Sequence, residues 1–140
     1  METLFSDVNV WAVLVSAVAS FVLGAVWYSP FVFGKTYTRL MGWSHETMEH
    51  HKKGAVKGYV ITFISSLVMA YVLSFALDYT VSATITDGLK TAFALWLGFV
   101  ATVSIGSVLW EGKPFALYLI NAAFNLISMG VMAAILTVWI

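Results

Sequence analysis

Two carboxamides, Asn121 and Asn125, stand four residues apart in a stretch without a charged side chain. Residues four apart share one helix face. Such a pair can hold a polar ligand or an ion by its oxygens, or bond to a neighbouring helix. A second cluster, His45-Glu46-Thr47-Met48-Glu49-His50-His51, offers imidazoles beside carboxylates. On a helix, Glu46 shares a face with His50, and His45 with Glu49. Each face then carries two ligands, short of the three or four that zinc takes. The H-E-x-x-H spacing is not met either, because residue 49 is Glu. The expectation is a solvated helix with charge pairs one turn apart, or a contact of His50, His51, Lys52 and Lys53 with anionic headgroups. No metal and no cofactor is expected.

Other chemistry is thinly supplied. Cysteine is absent, which removes disulfides, thiolate ligands and thiol nucleophiles. No nucleophile, base and orienting group fall together along the chain, and no glycine-rich phosphate loop is present. An enzyme is not expected. Net charge is zero, which gives no reason to expect nucleic acid as a partner.

The elements that position these residues are dictated by solvent. Four stretches hold no Asp, Glu, Lys or Arg: 8–34, 58–77, 91–110 and 114–140. About 20 apolar residues in a helix cross the ~30 Å hydrocarbon core of a bilayer. Hydrophobic residues make up 61% of the chain and charged residues 10%, too few to cover a soluble surface. The expected fold is all-α: one antiparallel four-helix membrane bundle over residues 1–140, with spans at about 9–29, 57–77, 88–110 and 114–139. Connection 35–56 is expected to carry a short helix near 45–53. No Lys or Arg precedes Lys35, so the first span is read as a retained helix, not a cleaved signal.

Lys35, Arg39, Lys52, Lys53, Lys57 and Lys113 fall on one side of this topology, and only Lys90 on the other. Short-loop cations stay cytoplasmic. The expectation is a bacterial inner membrane location, the first loop in the cytoplasm and both termini outside. Pro30 is expected to end the first span, with Trp27, Tyr28, Ser29, Gly34 and Trp110 on a cytoplasmic rim. Trp27 with Pro30-Phe31, and Trp110 with Pro114-Phe115, form a weak internal echo.

Lipid gives apolar helices no hydrophobic reason to associate, so small residues and interhelical hydrogen bonds must supply it. Stripes at four-residue spacing meet that need: Ala12, Ser16, Ser20 and Gly24; Thr62, Ser66, Ala70 and Ser74; Ala94, Gly98, Thr102 and Gly106. Gly24, Ser66, Gly98 and Gly106 are expected at helix contacts. Asn121, Asn125, Ser16, Ser20 and Thr102 are expected to border a polar crevice. Those amides otherwise act as glue between helices. No ionisable group falls inside a span, which counts against proton-coupled transport.

The segments Val8-Asn9-Val10-Trp11, Phe21-Val22-Leu23-Gly24-Ala25-Val26-Trp27-Tyr28-Ser29-Pro30, Phe33-Gly34-Lys35 and Arg39-Leu40-Met41-Gly42 resemble an uncharacterised bacterial membrane family, domain of unknown function 1761. Trp96-Leu97-Gly98-Phe99, Lys113-Pro114-Phe115 and Leu119-Ile120-Asn121-Ala122 are similar as well. The resemblance implies a four-helix integral membrane protein and brings no established activity. It points to Trp27, Tyr28, Ser29, Pro30, Gly34, Trp96, Gly98 and Asn121 as the place of any shared role. The expected partners are lipid and a second copy of the chain. The expected function is transport or conduction of a small neutral solute. The alternative is an accessory or scaffold protein that binds lipid or a membrane partner through its aromatic rim.

Overall fold

The computed structural model describes residues 10–29, 31–42, 46–47, 49–50, 55–80 and 84–138. Its helices are α1 (Val10–Trp27), α2 (Gly34–Met41), α3 (Ala55–Tyr79), α4 (Ile85–Leu109) and α5 (Phe115–Val138). Among the described residues there is no strand. Helices α1, α3, α4 and α5 are long and apolar enough to cross a membrane. At ~1.5 Å per residue the shortest, 18 residues, reaches about 27 Å. The all-α bundle of four spans is as expected.

Local chemistry sets the ends. Thr84, not Asp87, caps α4: its hydroxyl accepts from the Asp87 N–H at 3.2 Å. Asp87 sits in the first turn, where the helix dipole favours an acid. Between α4 and α5, Gly112 adopts φ 70°, a conformation that costs a residue with a Cβ, and Pro114 lies just before the helix. This short turn makes α4 and α5 packed neighbours.

Two features depart from the expected plan. Helix α2 was not anticipated in the first connection. Tyr37, Leu40 and Met41 are half-buried while Lys35 and Arg39 are exposed, the pattern of a helix lying at an interface. Gly42, at φ 71°, ends it and donates to the Arg39 carbonyl. Of the short helix expected near 45–53, only Glu46, Thr47, Glu49 and His50 lie among the described residues, and all four are helical. Helix α4 is irregular: Trp96–Ala101 forms a π-helical turn. That turn inserts an extra residue and shifts the helix face. The Tyr118 hydroxyl donates to the Ala101 carbonyl at 2.9 Å, and the Trp96 indole N–H donates to the Ala122 carbonyl at 2.8 Å. Helix α5 therefore holds both ends of the π turn.

The core sits at the end of the bundle away from α2. Ala12, Val13, Ala70, Leu73, Leu77, Ala92, Met129, Met132, Ala133 and Leu136 form it. Helix α5 is its spine, since α1, α3 and α4 all pack on it. Gly88 makes the α4–α5 contact close: a Cβ there would lie 2.7 Å from Thr137 Cγ2. With Ala92 four residues on, it forms the small-xxx-small pair that lets membrane helices approach.

Candidate functional site: a cavity among three spans

Small side chains close the far end of the bundle, and aromatic ones meet at the near end. Ala12 and Ala70 are wholly buried where α1 and α3 meet the core. Two turns further along α1, Phe21 meets Tyr59 and Phe63 of α3 edge-on, each at 6.0 Å between ring centroids. Those rings make the contact between α1 and α3 at this level. Beside them a cavity of about 860 Å³ lies among α1, α3 and α5.

Ser20 and Ser128 mark the deep end and share a 2.6 Å hydrogen bond. Tyr28, Ser29 and Tyr59 lie toward the α2 end. Phe124 forms one wall. Gly24 admits it: a Cβ there would stand 3.2 Å from the ring. Tyr28 packs edge-on against Phe124 at 5.4 Å and against Tyr37 at 5.2 Å. Thr62, Ser65 and Ser66 line the α3 side, and Asn125 lines the α5 side. No Asp, Glu, His, Lys or Arg is among the described lining residues. Outside the spans, burial pushes the Tyr37 phenol above its ordinary pKa, so it is uncharged at neutral pH.

The sequence-derived candidates divide. Ser20 and Asn125 line this cavity. Asn121 sits one turn away, and its Oδ1 accepts the Tyr28 hydroxyl at 2.6 Å. Ser16 is fully buried, and its hydroxyl has no partner among the described residues. Thr102 is elsewhere: it is exposed on α4 and donates to the Gly98 carbonyl at 2.7 Å, serving the π turn. Gly24 packs against α5, whereas Ser66 is half-buried at the cavity and bonds its own helix at Thr62. Gly98 faces open space and Gly106 meets only Trp110 of its own helix, so neither makes a seam within the chain. The α4 seam runs instead through Gly88, Ala92 and Ala101. The spacing of Gly88 and Ala92 carried that signal; the phase shift at the π turn did not show in residue types.

The rim residues also separate. Trp27 and Tyr28 turn into the bundle, with the Trp27 indole N–H donating to the Ile120 carbonyl at 3.2 Å. Ser29 donates to Val26. Trp110 is exposed at 87%, so the echo pairs one inward and one outward tryptophan. Pro30 lies outside the described residues. Gly34 is buried in the α1–α2 corner, where its N–H donates to the Ser29 carbonyl at 2.8 Å. A Cβ there would collide with the Tyr28 carbonyl oxygen and come 2.7 Å from that of Ser29. Tyr118 and Trp96 were missed as polar anchors, whereas Ser128 stands on the Asn121 and Asn125 stripe of α5 expected at a helix contact. Among the described residues, no three His, Cys, Asp or Glu side chains gather as a metal group.

Four bilayer-length helices, three of them lining an uncharged cavity, define a small polytopic integral membrane protein. Its spans contact lipid. The family model described as Protein of unknown function (DUF1761) matches residues 11–137, and the chain belongs to that family. No curated protein and no solved structure matches it.

Proposed function

We propose that the protein conducts or carries a small neutral solute across its membrane, without catalysis. The observation that carries this reading is the cavity of about 860 Å³ among α1, α3 and α5, bordered by hydroxyls and one carboxamide. Polar groups are expensive at bilayer depth unless they serve packing or a pathway. The absence of charge along the described lining suits an uncharged cargo and gives no group for proton coupling. The distribution of Lys and Arg favours the α2 end as the cytoplasmic one, in a bacterial inner membrane.

Stopped-flow light scattering on proteoliposomes of the full chain tests the reading with glycerol and urea. Flux above protein-free vesicles is expected, and Ser66→Trp, which fills the cavity, is expected to reduce it about tenfold (~1.4 kcal/mol in barrier). Flux absent for both solutes, or unchanged in Ser66→Trp, overturns it.

One observation favours the alternative of an accessory or self-associating protein. The line Ala94, Gly98 and Thr102 on α4 is exposed, although small residues at this spacing ordinarily meet another helix. Crosslinking in native membranes that finds a reproducible partner, in a protein without flux, supports that alternative.

A further inference from the structure

Asn121 and Asn125 have the same side chain one turn apart on α5, yet they stand in opposite situations. Asn121 is satisfied by the Tyr28 hydroxyl. Asn125 lines the cavity, and its carboxamide has no hydrogen-bond partner among the described residues. Of the other lining hydroxyls, Ser20 and Ser128 bond each other, Ser66 donates to the Thr62 carbonyl and Ser29 to the Val26 carbonyl, while Thr62, Ser65 and Tyr59 carry further hydroxyls in the same lining. Leaving an amide unpaired at bilayer depth is unfavourable. Asn125 carries two donors and an acceptor in a lining that also holds Phe21, Tyr59, Met69 and Phe124.

We infer that the cavity binds an uncharged amphiphile: an apolar, ring-sized body carrying one amide or hydroxyl head that pairs with Asn125. The inference rests on reading the cavity as a solute site and names the chemistry of its occupant. The aromatic walls accept the body by burial and edge-to-face contact. The carboxamide supplies a matched donor and acceptor to the head. A carboxylate or ammonium head is rejected, because the described lining holds no countercharge to offset its desolvation. The volume, about 860 Å³, lies within the range of small-molecule pockets.

Calorimetric titration of the full chain in lipid nanodiscs tests this with benzamide, benzyl alcohol, benzoate, benzylammonium and toluene. Saturable binding of benzamide and benzyl alcohol is expected, with benzoate and benzylammonium weaker by about tenfold or more. Asn125→Leu is expected to weaken benzamide by about tenfold while retaining toluene, which shows the cavity intact. If that variant does not fold, Asn125→Ser is expected to weaken benzamide in the same direction. Equal binding of the charged and neutral probes, benzamide binding untouched in the folded variant, or no saturable binding of any probe overturns the inference. Binding without flux in the liposome assay removes transport and leaves the site. Glycerol flux without probe binding removes the site and leaves transport.

Discussion

The two ends of the bundle use the same helices to opposite effect. Away from α2, Ala12, Ala70, Leu73, Leu77, Met132 and Leu136 exclude everything else. Toward α2, the same α1, α3 and α5 line a cavity bordered by polar side chains, with Phe21 meeting Phe63 and Tyr59 beside it. Each end also has its own way of joining helices. The far end relies on close approach, through Gly88 against Thr137 and through buried alanines. The near end relies on side-chain hydrogen bonds, Trp27 to Ile120, Tyr28 to Asn121 and Ser20 to Ser128. In hydrocarbon those are the two available sources of helix association. Separating them along one bundle gives one end a close-packed core and the other a polar-bordered cavity between helices that stay attached.

Substitutions at the two ends test that division. Met132→Ala removes a fully buried side chain from the far end. It is expected to cost roughly 2–5 kcal/mol in detergent unfolding titrations, through lost contacts and a cavity. Solute flux per folded molecule is expected to persist; loss of flux in the folded variant would show the ends to be coupled. Tyr28→Phe removes one near-end bond and frees Asn121. The expected cost is about 0.6–1.7 kcal/mol, the range for interhelical hydrogen bonds in membranes. A change near zero would mean that ring packing alone joins α1 to α5 there. The smallest effect, of opposite sign, belongs to Ser16→Ala. That hydroxyl is buried, with no partner among the described residues, at the edge of the close-packed core. Its removal is expected to stabilise by roughly 0.5 kcal/mol. Destabilisation would show that Ser16 has a polar partner, and that the wet region extends past Ser20.

Much of the fold was legible because charge has few places to go in a bilayer. Four uncharged runs of sufficient length specify four spans, and Gly112 before Pro114 specifies a tight return. Helix α2 was legible in principle, from Lys35 and Arg39 opposite Tyr37, Leu40 and Met41, with Gly42 after them. The site was legible in part. Residue types raised both Asn121 and Asn125, but nothing in their spacing distinguishes the amide met by Tyr28 from the one facing a cavity. Nor did the stripe through Ala94, Gly98 and Thr102 reveal that it faces outward.

Residue order alone dictates the solvent of this protein and the number of its crossings, because transferring a charge into hydrocarbon outweighs every local preference. Which face of each helix meets a neighbour was settled by packing in three dimensions. The buried line on α4 runs through Gly88 and Ala92, ahead of the π turn, and is taken up by Ala101 at the end of that turn rather than by the expected stripe. Residues of α1, α3 and α5 together line a space that no single helix encodes. Side-chain period says which residues share a face; only the sum of contacts from all the helices decides what that face touches.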